Sequence, residues 1–419
     1  MRVKMTAQFI LYLLIGFVLL EALVSGVLSW LNGTWMSHPI PAVLEGLYDE
    51  EKYEKQQAYM KANRRVGRIG SIVSTVITVV FLACGLFGWL DNLFKSVTDS
   101  VYGQICLFAL FLQLFGTLVE LPFSYYSTFV IEERFGFNKT THRTFWLDAL
   151  KGFILSYVLT AGLVCVIYWL YDTIGDGFWL WATGVCVVFI VFFSMFYSNL
   201  IVPLFNKQKP LEQGELRSAI EGALQSMNCR FKDIYVIDGS KHSTKANAYF
   251  TGFGPKKRIV LYDTLIEQLT TEEVVAVLAH EVGHYRHHDT LKNMFTSIVT
   301  VGVYLYVFSL MVSSPLLPEA LGGTAPSFVL SMVAFSQLLT PISLVLDPLM
   351  NSVLRRAEYA ADRYATAYGH GNMLISGLKK LSAHALSNLT PHPAFVWFSY
   401  SHPTLAQRII SIQENQKKL

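Results

Sequence analysis

The sequence predicts a mainly α-helical membrane protein, with seven transmembrane helices and a cytoplasmic α+β domain built from two chain segments. Two observations lead to this fold class. Of the 419 residues, 53% are hydrophobic and only 15% are charged, whereas soluble domains carry about 25% charged residues. The apolar residues are also gathered into long blocks, separated by polar segments. This composition excludes an ordinary water-soluble enzyme, and a net charge of only +3 predicts no nucleic-acid partner.

Long apolar blocks define the transmembrane helices. A helix needs about 20 apolar residues to cross the hydrocarbon core of a bilayer. Six blocks meet this requirement without an internal charge, and a seventh, at the amino-terminal end, carries only Glu21. In chain order the blocks are 9–31, 69–90, 101–119, 152–171, 177–205, 293–318 and 325–346.

The Lys and Arg residues of the loops predict the orientation, because short cytoplasmic loops carry an excess of these residues. Two loops on one side are rich in them, whereas the loops on the other side contain only Lys95. The basic residues after the first block are Lys52, Lys55, Lys61, Arg64, Arg65 and Arg68, and those after the third are Arg134, Lys139, Arg143 and Lys151. We therefore expect the amino terminus outside and both large polar segments on the cytoplasmic side.

The blocks divide the chain into four parts. Residues 1–205 contain transmembrane helices 1–5 with their cytoplasmic loops, and residues 293–351 contain helices 6 and 7. Residues 206–292 and 352–419 are expected to form the two parts of one soluble domain, since together they have an ordinary domain size. The last pair of membrane helices is then an insertion within that domain.

The first soluble segment contains strand patterns followed by the start of a helix. β-Branched and aromatic runs at 234–238, 247–251 and 258–262 predict three short strands. Thr270 and Glu273 have the spacing of a capping box. This predicts a helix that opens here and continues through His288.

That helix carries a candidate metal-binding motif, His280-Glu281-Val282-Gly283-His284. Histidines at i and i+4 share one helix face, so both imidazoles can reach one ion. Glu281 lies beside that face, where its carboxylate can take a proton from water. The non-functional alternative is a pair of histidines on a solvated helix.

A third ligand is predicted in the second soluble segment. A catalytic zinc ion takes three protein ligands and keeps an open fourth position. Glu358 lies beyond the seventh block, and the two intervening crossings return the chain to the side that holds His280 and His284. Asp362, one turn later, can hydrogen-bond a ligating imidazole. We expect one zinc ion per chain; the alternative is that the two carboxylates pair with Arg355, Arg356 and Arg363.

The chain resembles the CAAX prenyl protease 1 family of membrane zinc endopeptidases over nearly its whole length. The resemblance rests on the His-Glu-x-x-His motif, on Glu358 with Asp362, and on three further stretches. These are Phe129–Asn138 (FVIEERFGFN), Asn247–Phe250 (NAYF), and Ser401-His402-Pro403 followed by Arg408. It implies seven helices around a water-filled chamber, covered by a gluzincin-like zinc-metalloprotease domain. Such a chamber would solvate Glu21, Glu120 and Asp347, for which ion pairing between helices is the alternative.

The resemblance also implies the catalytic roles. His280, His284 and Glu358 would bind zinc, and Glu281 would be the general base that activates water and passes its proton to the leaving amine. His402 would donate a hydrogen bond to the oxyanion of the reaction. From the residues alone, His402 can also be a histidine at a helix start.

Residues around this centre receive supporting roles from the same resemblance. Asp362 would support a ligating histidine, and Arg408 would hold the carboxyl-terminal element in place. The substrate peptide would bind Asn247, Ala248, Tyr249 and Phe250, because an exposed edge strand can pair with an extended chain. A turn asparagine is the alternative for Asn247.

These observations predict an integral, multi-pass membrane protein that is a zinc metalloendopeptidase. Its expected partners are polypeptide substrates and the surrounding membrane lipid. By resemblance, the substrates bear an isoprenylated carboxyl-terminal cysteine, and a tripeptide is released. The first alternative is a quality-control protease for misfolded or translocon-jammed membrane proteins. The second is a seven-helix transporter or receptor with a structural metal site, against which the intact Glu281 counts. The location is the endoplasmic reticulum membrane in a eukaryote or the inner membrane in a bacterium.

Overall fold

The computed structural model describes residues 6–229, 231, 233–251 and 258–418. Helices dominate the first half of the chain. They are α1 (Ala7–Thr34), α2 (Glu50–Ala83), α3 (Leu86–Val97), α4 (Val101–Tyr126), α5 (Glu133–Phe135), α6 (His142–Ile174), α7 (Phe178–Leu200) and α8 (Val202–Phe205). A π-helical turn, Ser127–Glu132, joins α4 to α5.

A four-stranded sheet and its helices follow. The strands are β1 (Gln208–Pro210), β2 (Asp233–Ile237), β3 (Ala248–Thr251) and β4 (Arg258–Tyr262), and the helices are α9 (Glu215–Ser226), α10 (Asp263–Gln268) and α11 (Thr271–Arg286). The strand order is β1-β2-β4-β3, with β2 and β4 parallel and the other pairs antiparallel. β3 is therefore an edge strand.

The remaining helices return the chain to the sheet. They are α12 (Asp289–Ser309), α13 (Leu316–Ala320), α14 (Phe328–Leu338), α15 (Thr340–Ala367), α16 (Gly371–His384), α17 (Pro393–Ser399) and α18 (Leu405–Gln416). One buried core unites both polar segments, because Ile220, Ile259 and Ala276 share it with Leu374 and Ile412.

Five helical stretches of the described residues are long and apolar enough to cross a membrane, or six when α14 and α15 count as one bent span. The prediction of a mainly helical membrane protein is confirmed. The count of seven stays a prediction, because the stretch His142–Phe205 extends over 64 residues and contains both α6 and α7.

The predicted seventh helix is broken within its apolar block. α14 ends at Leu338 and α15 begins at Thr340, with a bend of 51° between them. Pro341 occupies the first turn of α15. A missing N–H is tolerated there, but the same proline inside a helix that continued from α14 would break that helix. α15 then runs on to Ala367 without interruption, so one helix connects the apolar block to Glu358.

The predicted helix through His288 is shorter than expected. α11 begins with the predicted capping box of Thr270 and Glu273, but it ends at Arg286. His288 adopts a left-handed conformation, with φ 56° and ψ 32°, and α12 begins at Asp289. This conformation is uncommon for a residue other than glycine, and it redirects the chain immediately after the His-Glu-x-x-His motif.

A cavity of about 570 Å³ lies between α2 and α4. Its lining is apolar at Phe81, Phe87 and Phe115, and polar at Ser71 and Glu120. Glu120, which the sequence left open between a cavity and an ion pair, thus faces a cavity among the described residues.

Candidate metal centre

Three side chains from two helices converge at the candidate site. His280 and His284 lie on α11, and Glu358 lies on α15, with one ligand atom from each within 4.8 Å of the others. Nε2 of His284 is 3.2 Å from Oε1 of Glu358, and Nε2 of His280 is 3.6 Å from Oε2. The imidazole planes are nearly perpendicular, at 87°. The structure thus brings together the three residues that the sequence proposed as ligands.

The donor set fits a metal ion. Oε2 of Glu358 is buried and has no hydrogen-bond partner in the described part of the chain. A buried carboxylate oxygen without a partner costs free energy, and a cation bound between the carboxylate and the two Nε2 atoms would remove that cost. Two imidazole nitrogens and one carboxylate oxygen are the ligands of many catalytic zinc sites.

Carboxylates behind the histidines fix the orientation of the imidazoles. Oδ1 of Asp362 lies 2.9 Å from Nδ1 of His280, and Oδ2 of Asp289 lies 3.0 Å from Nδ1 of His284. Each carboxylate is buried and accepts an Nδ1–H, which leaves Nε2 free to face Glu358. The sequence pointed to Asp362 but missed Asp289, because a helix continuing through His288 gives no reason for position 289 to turn back.

Arg408 of α18 joins this network. Its Nη2 and Nε atoms donate to the two oxygens of Asp362 at 2.6 and 3.0 Å, a bidentate geometry that favours a fixed arrangement. Nη1 is 3.6 Å from Oε2 of Glu358. Arg355, one of the alternative partners, instead donates to the backbone carbonyls of Val396 and Tyr400.

The centre shifts the pKa values of two residues of α11. Burial lowers the pKa of His284, but hydrogen bonds to Glu358 and Asp289 outweigh it and raise the pKa to about 9. Burial raises the pKa of the Glu281 carboxyl, and the nearby His280 and His284 only partly oppose this. A carboxylate with a raised pKa is a better proton acceptor, which suits the position of Glu281 beside the ligands.

His402 lies at the exposed mouth of the centre. Its side chain is 65% exposed, and its Nε2 is 3.2 Å from Oε1 of Glu358. Nδ1 is 2.9 Å from the hydroxyl of Ser401. The imidazole therefore stands over the carboxylate on the solvent side, between α17 and α18.

The side chains of the predicted substrate strand already have partners within the protein. Ala248 and Phe250 pack against the core, and the hydroxyl of Tyr249 lies 3.1 Å from that of the buried Ser198. Oδ1 of Asn247 accepts the backbone N–H of the next residue, Ala248, at 2.8 Å. The groups of β3 that remain for pairing with another chain are the backbone N–H and C=O groups of its outer edge.

Comparisons with known proteins agree with this architecture. Residues 31–207 match the family described as CAAX prenyl protease N-terminal, five membrane helices, and residues 210–416 match peptidase family M48. A probable CAAX prenyl protease 1 of Schizosaccharomyces pombe is 34% identical over 390 residues, which cover 89% of this chain and 81% of the relative. The chain belongs to the CAAX prenyl protease 1 family. The CAAX prenyl protease 1 of Saccharomyces cerevisiae is 32% identical, with 90% of this chain and 89% of the relative covered.

The fold of this family member is also similar to a solved structure. The crystal structure of S. mikatae Ste24p superposes with a TM-score of 0.92 at 28% identity, over 96% of this chain and 99% of that chain. The resemblance inferred from the motifs is therefore confirmed. The chain is a multi-pass membrane metalloendopeptidase with polypeptide substrates, and the quality-control and transporter alternatives are not favoured.

Proposed function

We propose that this protein is a zinc endopeptidase of the endoplasmic reticulum membrane that removes the carboxyl-terminal tripeptide from prenylated CAAX proteins. The observation that carries the proposal is the convergence of His280, His284 and Glu358, with one buried carboxylate oxygen that has no hydrogen-bond partner among the described residues. The substrate class follows from the names of the relatives, which are CAAX prenyl proteases. The eukaryotic sources of these relatives support the endoplasmic reticulum as the location.

Each residue of the centre has a chemical task in this proposal. His280, His284 and Glu358 would hold the zinc ion, which when bound supplies Lewis-acid activation of water and of the peptide carbonyl. Glu281 accepts the proton of the attacking water and passes it to the leaving amine. His402 donates an N–H to the developing oxyanion, since its imidazole stands at the mouth of the centre.

Substrate binding is assigned to the backbone of β3. The outer edge of β3 presents N–H and C=O groups that an extended peptide can pair with. Asn247, Ala248, Tyr249 and Phe250 contribute through this backbone, because their side chains have partners of their own. The peptide would then cross the face of α11 that carries the ligands.

Seven crossings and a cytoplasmic centre complete the proposal. At about 1.5 Å per residue, the helical stretch His142–Phe205 is far longer than one crossing needs, and a 3₁₀ turn at Gly175–Gly177 interrupts it. Counting α6 and α7 separately, and α14 with α15 as one bent span, gives seven. The family that residues 31–207 match is described as having five membrane helices, which agrees with five spans before the sheet when α1, which lies mostly before residue 31, is included. The basic loops support the orientation.

The chemistry is tested with Glu281→Gln in the purified, full-length protein. We expect Glu281→Gln to retain one zinc ion per chain by elemental analysis and to lose cleavage of a farnesylated CAAX peptide by at least about 100-fold. Glu267→Gln is the matched control, because Glu267 is an exposed carboxylate of the neighbouring helix α10. If Glu281→Gln still cleaves at the rate of the control, Glu281 is not the base.

The substrate class needs a separate comparison. A farnesylated peptide and its unmodified twin are offered to the wild-type enzyme, and we expect the farnesylated peptide to be cleaved with the higher kcat/KM. Equal turnover would refute the preference for prenylated substrates.

The orientation in the membrane is tested with a cysteine placed at Lys417. It should react with an impermeant thiol reagent from the cytoplasmic side of sealed microsomes, and reaction only from the lumen would reverse the proposed topology.

A further inference from the structure

The segment before β3 is anchored to the loop that follows α5. Asn138 and Ser243 form an isolated antiparallel bridge. Next to it, the backbone N–H of Thr244 donates to the carbonyl of Phe137 at 3.0 Å. The stretch that leaves the membrane helices thus pairs with residues 242–244, just upstream of the edge strand.

A charged triad closes this contact. The ammonium group of Lys245 lies 2.9 Å from Oε2 of Glu132 and 2.9 Å from the hydroxyl of Tyr59. Tyr59 in turn donates to Oε1 of Glu132 at 2.5 Å. Tyr59 belongs to α2, Glu132 ends the π-helical turn after α4, and Lys245 precedes β3. Three distant parts of the chain therefore meet at one ion pair.

Aromatic rings cover part of the triad, in which the side chains of Lys245 and Glu132 are 38% and 20% exposed. Nζ of Lys245 lies 4.7 Å from the ring centroid of Phe137 and 5.3 Å from that of Tyr59, within the range of cation–π contacts. The Tyr59 ring packs edge-on against Phe135 and Phe137, and all three rings are buried. A partly desolvated ion pair holds its geometry better than an exposed pair, because solvent screens it less.

The other side of the same segment is bonded to the soluble domain. The hydroxyl of Thr264 donates to the carbonyl of Lys245 at 3.1 Å, and the amide of Gln268 donates to that of Thr244 at 2.6 Å. Both donors belong to α10, which directly precedes α11. Because Lys245 is only two residues from Asn247, a displacement of Lys245 must shift the start of β3.

We propose that Tyr59, Glu132 and Lys245 are positioning residues for peptide cleavage, which hold β3 so that a paired substrate lies in register over the metal ligands. This inference rests on the proposed function, in which β3 binds the substrate backbone. The triad acts through β3 and not on the reacting atoms. A displacement of about 1 Å in a reacting bond can lower the rate about 100-fold. Even a small shift of β3 is therefore sufficient to slow cleavage of a peptide that is paired with it.

Two substitutions at Lys245 test the triad in the full-length, zinc-loaded enzyme. Lys245→Met removes the ammonium group, and Lys245→Arg keeps the charge. Lys209→Met is the matched control, because Lys209 is exposed on β1 at the opposite edge of the sheet. Four properties are measured: kcat and KM for a farnesylated CAAX peptide, the bond that is cut, and amide hydrogen exchange of residues 242–251.

We expect Lys245→Met to lower kcat about 10- to 100-fold, to accelerate exchange in residues 242–251, and to cut at more than one bond. Zinc content and exchange in α11 should not change, which separates positioning from general unfolding. Lys245→Arg should recover most of the rate, and Lys209→Met should behave as the wild type. A Lys245→Met enzyme with wild-type exchange overturns the positioning role.

The same measurements distinguish this inference from the proposed function. If exchange accelerates in Lys245→Met but kcat and the cut bond do not change, β3 is not positioned by the triad for catalysis, and the inference is wrong while the protease function stands. If the wild type cleaves no CAAX peptide, the proposed function fails. Any peptide that the enzyme does cleave then serves for the comparison of kcat and cut bond.

Discussion

Gly283 and Ala361 lie in direct contact where α11 crosses α15. A Cβ atom built on Gly283 would lie 2.7 Å from Cα of Ala361 and 3.0 Å from its carbonyl oxygen. Gly283 is the residue before His284, and Ala361 lies between Glu358 and Asp362 in the sequence. The missing side chain at position 283 therefore allows the histidines of one helix to reach the carboxylates of the other.

Gly283→Ala is expected to weaken metal binding. The added methyl group must push α15 away from α11, which lengthens the distances from Glu358 to His280 and His284. We expect the affinity for zinc to fall about tenfold or more, measured as zinc retained against increasing concentrations of a chelator. Cleavage of the CAAX peptide should fall in parallel at limiting zinc.

Gly222→Ala is the control for Gly283→Ala. Gly222 lies in α9, where a built Cβ meets no atom of the described residues within 4 Å, so alanine should raise stability there by up to about 1 kcal/mol. If Gly283→Ala binds zinc as tightly as Gly222→Ala, the close crossing is not what aligns the ligands.

Asp289→Asn is expected to lower zinc affinity through His284. The asparagine side chain no longer accepts the Nδ1–H with a full negative charge, so the imidazole becomes a weaker and less fixed ligand. Loss of such a carboxylate typically costs about 10- to 100-fold in metal affinity, and the same chelator titration measures it. Lys292→Gln is the control, since it removes the 66% exposed ion-pair partner of Asp289 without touching His284. Equal affinities in the two variants would show that Asp289 does not support the ligand.

The sequence was sufficient to predict the centre wherever local spacing decides the geometry. His280 and His284 share a helix face by their spacing, and the capping box of Thr270 and Glu273 opens that helix where expected. Glu358 could be predicted as the third ligand because two crossings, if both are present, return the chain to the side of the histidines. These predictions needed only helical periodicity and the alternation of sides.

Other features depend on contacts between distant residues, which periodicity does not encode. Asp289 reaches His284 only because His288 adopts a left-handed conformation. Glu132 and Lys245 are 113 residues apart in the chain and meet only in the folded protein. Pro341 was a local signal for the bend before α15. The uninterrupted apolar block around it, however, favoured one continuous membrane helix.

His402→Ala is expected to slow catalysis without loss of metal. In the proposed mechanism the imidazole donates to the oxyanion, and removal of such a donor costs about 100- to 1,000-fold in kcat. Zinc content by elemental analysis should stay at the wild-type level, because His280, His284 and Glu358 remain. A variant that loses zinc would instead identify His402 as a ligand.

His287→Ala is the control for His402→Ala. His287 is an exposed histidine directly after α11, and its ring packs against Tyr364. Its loss should leave kcat and zinc content close to those of the wild type. Equal losses of kcat in the two variants would mean that general disturbance of this surface, and not donation by His402, slows the reaction.

Glu273 gives the stability of the soluble domain a defined pH dependence. Its carboxylate is buried and accepts hydrogen bonds from the backbone N–H of Thr270 at 2.9 Å, from Ser376 at 2.6 Å and from Lys380 at 2.8 Å. Burial raises the pKa of Glu273, but these bonds outweigh it and hold the pKa below its ordinary value of 4.5. Glu273 therefore ties α11 to α16 in its ionised form.

Glu273→Gln is expected to destabilise the protein at neutral pH, by about 2 kcal/mol for the loss of charge-assisted hydrogen bonds. Because the pKa is lower in the folded protein than in the unfolded chain, the stabilisation is complete well above pH 4.5 and is lost as the pH falls below it. Thermal unfolding in detergent between pH 7 and pH 3.5 should therefore show the wild type and Glu273→Gln converging at the acidic end. Glu267→Gln, which removes an exposed carboxylate of α10, should parallel the wild type throughout. A difference between wild type and Glu273→Gln that stays constant down to pH 3.5 would mean that the ionised carboxylate is not what stabilises the contact.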